Sequence, residues 1–225
     1  MANVNRINGV SPVGTITGAA WNQQGRMYAI STSNTGDSFA VGDIVMSAGG
    51  SDANGVPYVK KIPIANASNF CALGIVVGVD PVSPGISLQA APLALETNYI
   101  VAGTRTTTRY LYVVDDPSII FEMSAGTTAT NFTLAKARYN SGIASWFTGA
   151  DQTLAIDQTT YLTQSAPYSN LILSSATVNT TNTLPIQMLG LAQRSDNAVG
   201  AYSRILCKFN SHEFGYAAGA NFTGI

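Results

Sequence analysis

The clearest pattern of hydrophobic and polar positions lies near the C-terminus, over Leu184–Phe214. It consists of an apolar run, a polar turn-like stretch and a second apolar run: Leu184–Ala192, Arg194–Gly200 and Tyr202–Phe209. In the second run, Ile205, Cys207 and Phe209 fall on one side and Arg204, Leu206 and Lys208 on the other, which is the period of two that a half-buried strand requires. The pattern therefore predicts a long β-hairpin with a wide loop.

Shorter strand patterns, separated by turn signals, cover most of the remaining chain. The predicted strands are Met27–Ser31, Phe39–Met46 with a Gly-Asp interruption, Tyr58–Ile64, Ala72–Val79, Asn98–Ala102, Thr106–Val114, Ile119–Met123, Thr153–Leu162 and Leu171–Val178. Ala72–Val79 is continuous and β-branched, which favours burial on both faces. Only Asn131–Tyr139 has some helical character. The expected fold is mainly β, with β-sandwich/jelly-roll or small barrel units, an extended N-terminal arm and little helix.

Three parts of the chain are expected. Residues 1–26 lack sustained periodicity and predict either an extended arm that orders against a neighbour or a disordered tail. The Pro-rich break Asp80–Gly85 predicts a linker or sharp corner, and hence a boundary near residue 85. Residues 27–85 would form a small β-barrel-like or sandwich part. Residues 86–225 would form a second β-rich part, either separate from the first or continuous with it.

Charged residues make up only 10% of the 225 positions, against about 25% in a typical soluble domain. Gly, Ala, Ser, Thr and Asn take their place, so we expect much of the surface to be covered by a partner. The net charge is −1 and the basic residues are scattered, so the sequence lacks the basic patch that is typical of nucleic-acid binding. No apolar run is long enough for a transmembrane helix, and the first residues lack the apolar core of a secretory signal.

The chain contains few residues of the types that serve in catalysis or metal binding. The two cysteines, Cys71 and Cys207, lie in strand-like runs and predict buried free thiols rather than a disulfide. One histidine and two distant cysteines give no ligand spacing for zinc. Carboxylates in the Asp115–Glu122 region and the 51–54 loop fit solvated turns better than a calcium site. No cofactor is expected.

The one histidine, His212, could serve as the base of a catalytic triad. Gly36-Asp37-Ser38-Phe39 superficially matches the start of GDSL-type hydrolases, in which an Asp lies three residues before the catalytic His. Here that position is Phe209, and no helix is expected after Ser38. A Gly-Asp-Ser turn between strands is the favoured interpretation, and His212 is expected to be structural. The chain is therefore not expected to be an enzyme.

The order of two sequence blocks resembles the decoration or cement (head accessory) proteins of tailed bacteriophages. The first block comprises Val114, Asp115, Asp116, Pro117, Phe121 and Glu122. The second comprises Leu189, Gly190, Leu191, Arg194, Asp196, Asn197, Gly200, Asn210 and His212. The N-terminal MANVNRINGV and the VGDIV…NGVPYV segment are also similar in style to this family. The chain is short and lacks the long helices that a major capsid protein would need.

This resemblance implies a structural virion protein that binds the capsid outer surface and cements neighbouring major capsid protein subunits. It implies a homotrimer assembled in the host cytoplasm, with the major capsid protein as partner and no nucleic-acid or membrane partner. Candidate intersubunit or capsid contacts are Arg6, Arg194, Asp196, Asn197 and His212. Arg194 and Asp196 could instead pair with each other to hold the loop.

Two other functions stay open. A β-rich tail, fibre or adhesin component could bind carbohydrate through stacking aromatics, for which the candidates are Trp21, Trp146, Tyr139 and Phe147. Packing in a core or an interface is the simpler role for these side chains. A hydrolase using Ser38 or a pair of carboxylates is the third hypothesis, which twelve acids in 225 residues make a poor candidate.

Overall fold

The fold is mainly β, as the sequence pattern predicts. The computed structural model describes residues 3, 8–62, 70–80, 99–125, 133, 136–141, 143–145, 169–174, 178–180 and 184–215, and within them it has fourteen strands and no α-helix. The strands are β1 (Ser11–Thr15), β2 (Arg26–Ile30), β3 (Phe39–Ala40), β4 (Ile44–Ser51), β5 (Pro57–Lys61), β6 (Gly74–Val79), β7 (Tyr99–Ile100), β8 (Arg109–Val114), β9 (Ile119–Ser124), β10 (Asn140–Ser141), β11 (Ile143–Ser145), β12 (Leu171–Leu173), β13 (Ile186–Leu191) and β14 (Arg204–Phe209).

Some predictions fall outside these residues. They are the strand at 153–162, residues 131, 132, 134 and 135 of the segment 131–139, the linker beyond Asp80, and the side chains of Arg6, Trp146 and Phe147. No helix in the described part of the chain is long and apolar enough to span a membrane.

Five strands close into a small barrel in the order β2-β5-β4-β6-β8. Neighbouring strands run antiparallel except β2 and β5, which pair in parallel through Ala29 and Tyr58. Closure leaves the barrel without an open edge. Gly74 lies where β6 passes β8, and a side chain there would overlap the carbonyl oxygen of Val114. The barrel therefore needs glycine at this position.

Five other strands form an antiparallel sheet in the order β1-β9-β14-β13-β10. The predicted C-terminal hairpin is confirmed, since β13 pairs with β14 from Ile186↔Phe209 to Leu191↔Ile205. The predicted alternation is confirmed too, because Ile205, Cys207 and Phe209 are buried while the positions between them are only half-buried.

Two hydrophobic cores share the barrel strands. Val45, Val76 and Val113 point into the barrel, with Ile30, Leu73 and Leu111. Their chain neighbours Ile44, Ile75 and Val114 pack in the other core, against sheet residues such as Phe121 and Ile186. Successive side chains of a strand point to opposite faces. These strands are therefore buried on both faces, as the continuous apolar run over Ala72–Val79 predicts.

The predicted division near residue 85 does not separate two folding units. Strand β8, which lies beyond residue 85, closes the barrel begun by β2. The predicted strand–turn–strand unit around Asp115–Pro117 is confirmed, but its strands belong to different sheets, because β8 is in the barrel and β9 is in the open sheet. This turn is one covalent link between the barrel and the sheet.

The prediction that residues 1–26 order only against a neighbour needs correction over Ser11–Thr15. This segment is β1, which pairs with β9 of the same chain from Ser11↔Glu122 to Thr15↔Ile119. Sequence periodicity missed it because the strand contains Pro12 and a bulge, and because its side chains are only half-buried or exposed. An isolated bridge from Gly14 to Ala20 covers part of its outer edge.

Candidate functional site

The two sequence blocks that carry the resemblance meet around strand β14. β9, which carries Phe121 and Glu122 of the first block, pairs with β14, the strand between Gly200 and Asn210 of the second block, through Cys207↔Phe121 and Leu206↔Glu122. The rings of Phe121 and Phe209 lie 4.7 Å apart at a tilt of 46°. Tilted aromatic pairs of this kind stabilise a fold beyond what the burial of the two rings contributes. The blocks are therefore one structural unit, with the hairpin loop at one end and the Ser211–Gly215 segment at the other.

Arg194 forms an ion pair with Glu122. The Arg194 Nη2 atom lies 2.9 Å from Glu122 Oε1, and the glutamate side chain is 7% exposed while that of arginine is 50% exposed. A buried carboxylate such as that of Glu122 requires a compensating cation or hydrogen bonds. The half-exposed guanidinium keeps a face at the surface and so stays available for a partner contact.

Asn197 holds the hairpin loop internally. Its side-chain Nδ2 donates to the carbonyls of Ala192 and Arg204, each at 2.8 Å, and its Oδ1 accepts from the Arg204 amide at 2.9 Å. These three bonds join the two ends of the loop, and they engage both the nitrogen and the oxygen of the Asn197 side-chain amide within the chain. The geometry supports loop stabilisation rather than an intersubunit contact for this residue.

Asn3 ties the N-terminal segment to the same loop. Its Nδ2 donates to the carbonyls of Ala198 and Ala201, and its Oδ1 accepts from the Ala198 amide, all at 2.7 Å. Asn8 adds a second tie, because its Oδ1 accepts from Arg204 Nη2. The hairpin loop therefore meets the N-terminal segment of its own chain.

His212 is buried at the seam between barrel and sheet, with 2% of its surface exposed. Its ring lies 5.7 Å from Phe209 and 6.2 Å from Phe214, and Nδ1 accepts from the Phe214 amide at 3.1 Å. Burial lowers the pKa of His212 to about 4, although Asp115 and Asp116 oppose that shift. The imidazole is therefore neutral at pH 7 and offers almost no surface for the predicted capsid contact.

Glu213 fastens the same segment to the barrel. Its carboxylate accepts from the Ser47 amide at 2.7 Å and from the Ser47 hydroxyl. Its own amide donates to the Ala72 carbonyl at 2.9 Å, while the Ala72 amide donates to Ser211 at 3.1 Å. Sequence periodicity could not predict this contact, because it joins positions 166 residues apart.

A buried ion pair in the barrel also escaped sequence reasoning. Lys61 Nζ lies 3.2 Å from Asp43 Oδ2, and their side chains are 4% and 0% exposed. Burial raises the pKa of the Asp43 carboxyl, while the Lys61 ammonium opposes the rise. The Gly42-Asp43 interruption of the predicted strand was the one sequence feature that marked this position. Asp43 Oδ2 also accepts from the Ala40 amide at 2.8 Å and so shapes the turn between β3 and β4.

The Gly36–Phe39 segment is a turn leading into a two-residue strand, as predicted. The Asp37 carboxylate accepts from Asn34 Nδ2 at 2.8 Å and from the Lys61 amide at 3.2 Å. Ser38 is buried, and the strand β3 follows it. The geometry is that of a structural turn rather than an exposed nucleophile on a strand-to-helix elbow.

Carboxylates considered for calcium are engaged by the chain. Asp52 accepts from the amides of Asn54 and Val56 and from the Tyr110 hydroxyl, which together lower the pKa of its carboxyl. Asp115 accepts from the Tyr28 hydroxyl at 2.7 Å. Within the described residues, no group of three or more His, Cys, Asp and Glu could hold a metal ion.

Both cysteines are free thiols, as predicted, but only Cys207 is fully buried while Cys71 is half-buried. Burial raises the pKa of the Cys71 thiol to about 11 and the pKa of the Cys207 thiol further above its usual value. Thiolate chemistry at neutral pH is therefore disfavoured at both positions.

An apolar cleft opens beside the hairpin loop. The hairpin cleft has a volume of about 100 Å³, and its apolar walls are Met188, Leu191, Val199 and Ile205. A bulge in β13 between Met188 and Gly190 bends the strand here, and a side chain at Gly190 would meet no atom within 4 Å. Bulges of this kind often lie beside functional surfaces.

The chain matches no protein-family model, and comparisons with curated proteins and with solved structures give no significant match.

Proposed function

We propose that this chain is a structural protein of a tailed-phage virion, which binds the outside of the capsid and cements neighbouring capsid subunits. One observation carries the proposal: the two blocks that resemble this family meet in space, because Arg194 of the second block pairs with Glu122 of the first, and β9 of the first block pairs with β14, the strand that lies within the second block's span. Residues that a family shares for its fold are expected to lie together in this way. The proposed partners are the major capsid protein and two further copies of this chain.

The surface chemistry supports the same proposal. A protein with only 10% charged residues gains little solubility from its surface and is suited to being covered. A cement protein binds the assembled shell and not its unfolded subunits, so it stabilises the shell by mass action. Repetition of the contact by the symmetry of the shell adds avidity, so each contact can be modest.

No specific observation favours the carbohydrate-binding alternative. Trp21 and Tyr139 pack partly against the core, and the Trp21 indole N–H donates to the Gln24 carbonyl at 3.3 Å. These contacts cover part of the ring faces that a sugar would use. Trp146 and Phe147, the other candidates, lie outside the described residues.

A low-resolution image of the particle tests the proposal. Particles with and without the chain would be compared by electron microscopy, and a difference map should place it on the outer capsid surface as trimeric density. Density on the tail or on a fibre, or no difference at all, would overturn the proposal. Sedimentation of the purified chain tests the proposed homotrimer separately.

A further inference from the structure

The hairpin cleft has the dimensions of a socket for one side chain. Its volume of about 100 Å³ is well below the roughly 300–1,000 Å³ of small-molecule sites. An apolar cavity of about 150 Å³ holds a benzene ring, so a space somewhat smaller suits one large aliphatic side chain. Met188 and Ile205 form walls that are already buried, while Val199 is 45% exposed at the rim.

The cleft also contains a polar group that the chain leaves unsatisfied. Ser203 lines the cleft and is fully buried, and its hydroxyl has no hydrogen-bond partner among the residues that the structure describes. A buried hydroxyl without a partner destabilises a protein, so a partner that supplies a backbone carbonyl or amide here would recover that loss. This second observation points to an extended peptide segment rather than to a purely apolar surface.

Two residues at or next to the cleft carry a cation that has no ion-pair partner in the described part of the chain. Lys136 lines the cleft, and Arg138 is adjacent, since its amide donates to the Met188 carbonyl at 2.8 Å. Both stand out in a protein with only 11 basic residues. Complementarity across an interface would match them with carboxylates.

We infer that the hairpin cleft receives an extended, acidic segment of the capsid protein, with one large aliphatic side chain anchored between Met188, Val199 and Ile205. Carboxylates next to that side chain meet Lys136 and Arg138, and the segment's backbone reaches Ser203. A single buried anchor surrounded by weaker contacts is the usual distribution of binding free energy at an interface. This inference rests on the proposed function and specifies its docking site.

The test measures the affinity of the full chain for capsid shells prepared without it. Ala137→Trp should obstruct the cleft, Val199→Asp should place a charge at its wall, and Lys136→Glu should repel an acidic segment. Each is expected to weaken binding at least about tenfold. Val101→Asp, directly after β7, and Lys60→Glu, in barrel strand β5, are matched controls at exposed positions and should bind like wild type.

The possible outcomes separate the two claims. If wild type does not bind shells, the proposed function fails and the inference fails with it. If wild type binds and the three cleft variants bind as well as the two controls, the docking site is wrong while the proposed function stands. Circular dichroism identifies any variant that does not fold, and the remaining cleft variants then decide.

Discussion

At the scale of single residues, the surroundings of a side chain determine its chemistry more than its neighbours in sequence do. His212 was the one candidate base, yet its ring lies between Phe209 and Phe214 with a lowered pKa. Arg194 was a candidate for a contact with Asp196, two positions away, or with a neighbouring subunit, and it pairs with Glu122, 72 positions away. Sequence spacing identified both residues but could not supply partners that only the strand pairing brings close.

Protonation of His212 should destabilise the fold in acid. The unfolded imidazole binds a proton near pH 6.5 and the folded one only near pH 4, so stability is intact above 6.5 and falls as the pH drops towards 4. The loss should reach about 2–3 kcal/mol by pH 4.5. Urea unfolding at pH 7 and pH 4.5 measures it. His212→Gln should flatten this dependence, and an equal loss in the variant would contradict the assignment.

The Asp43–Lys61 pair should be costly to break from one side. Lys61→Met leaves a buried carboxylate without its cation, and we expect a loss of about 3–5 kcal/mol in the free energy of unfolding. Lys60→Met, at the exposed neighbouring position, should change it by less than about 0.5 kcal/mol. Equal effects of the two substitutions in urea denaturation would show that the ion pair is not needed.

At the scale of elements, the hairpin depends on its loop as well as on its strands. Asn197→Ala removes three hydrogen bonds between the loop ends, and it should lower the free energy of unfolding by about 1–3 kcal/mol. Ser195→Ala, at an exposed position of the same loop, is the control and should be nearly neutral. Chemical denaturation measures both variants. Coinciding unfolding midpoints for the two variants would contradict the role assigned to Asn197.

The barrel should be sensitive to bulk at Gly74. An alanine there would overlap the Val114 carbonyl and force β6 away from β8, at a cost of about 1–3 kcal/mol. A side chain at Gly36 would meet no atom within 4 Å, so Gly36→Ala is the matched control. Thermal unfolding should show a lower midpoint for Gly74→Ala alone, and equal midpoints would mean that the strands can separate freely.

Strand patterns were predictable, but strand partners were not. Alternation and β-branched runs indicated β2, β6, β8, β9 and the β13–β14 hairpin, because burial imposes a period of two on each strand. Pairing between distant strands leaves no such local signal. The closure of the barrel by β8, across the Pro-rich break, and the edge position of β1 were therefore not anticipated.

At the scale of the whole molecule, the barrel and the sheet share one core and are fastened along one seam. The 115–118 turn crosses that seam covalently, while His212 and Glu213 cross it through packing and hydrogen bonds. The hairpin loop and its cleft lie at the other end of β14. This separation suits a rigid protein that presents a binding surface at one end. Composition indicated a covered surface, but only the fold locates the cleft.

Melting of capsid shells tests the central claim most directly. Shells prepared without the chain would be heated in a calorimeter with and without the purified protein, at concentrations well above its Kd. The account predicts saturable binding and a higher shell melting temperature, since a hundredfold excess over Kd corresponds to about 2.7 kcal/mol per site. No binding, together with an unchanged melting temperature, would contradict it.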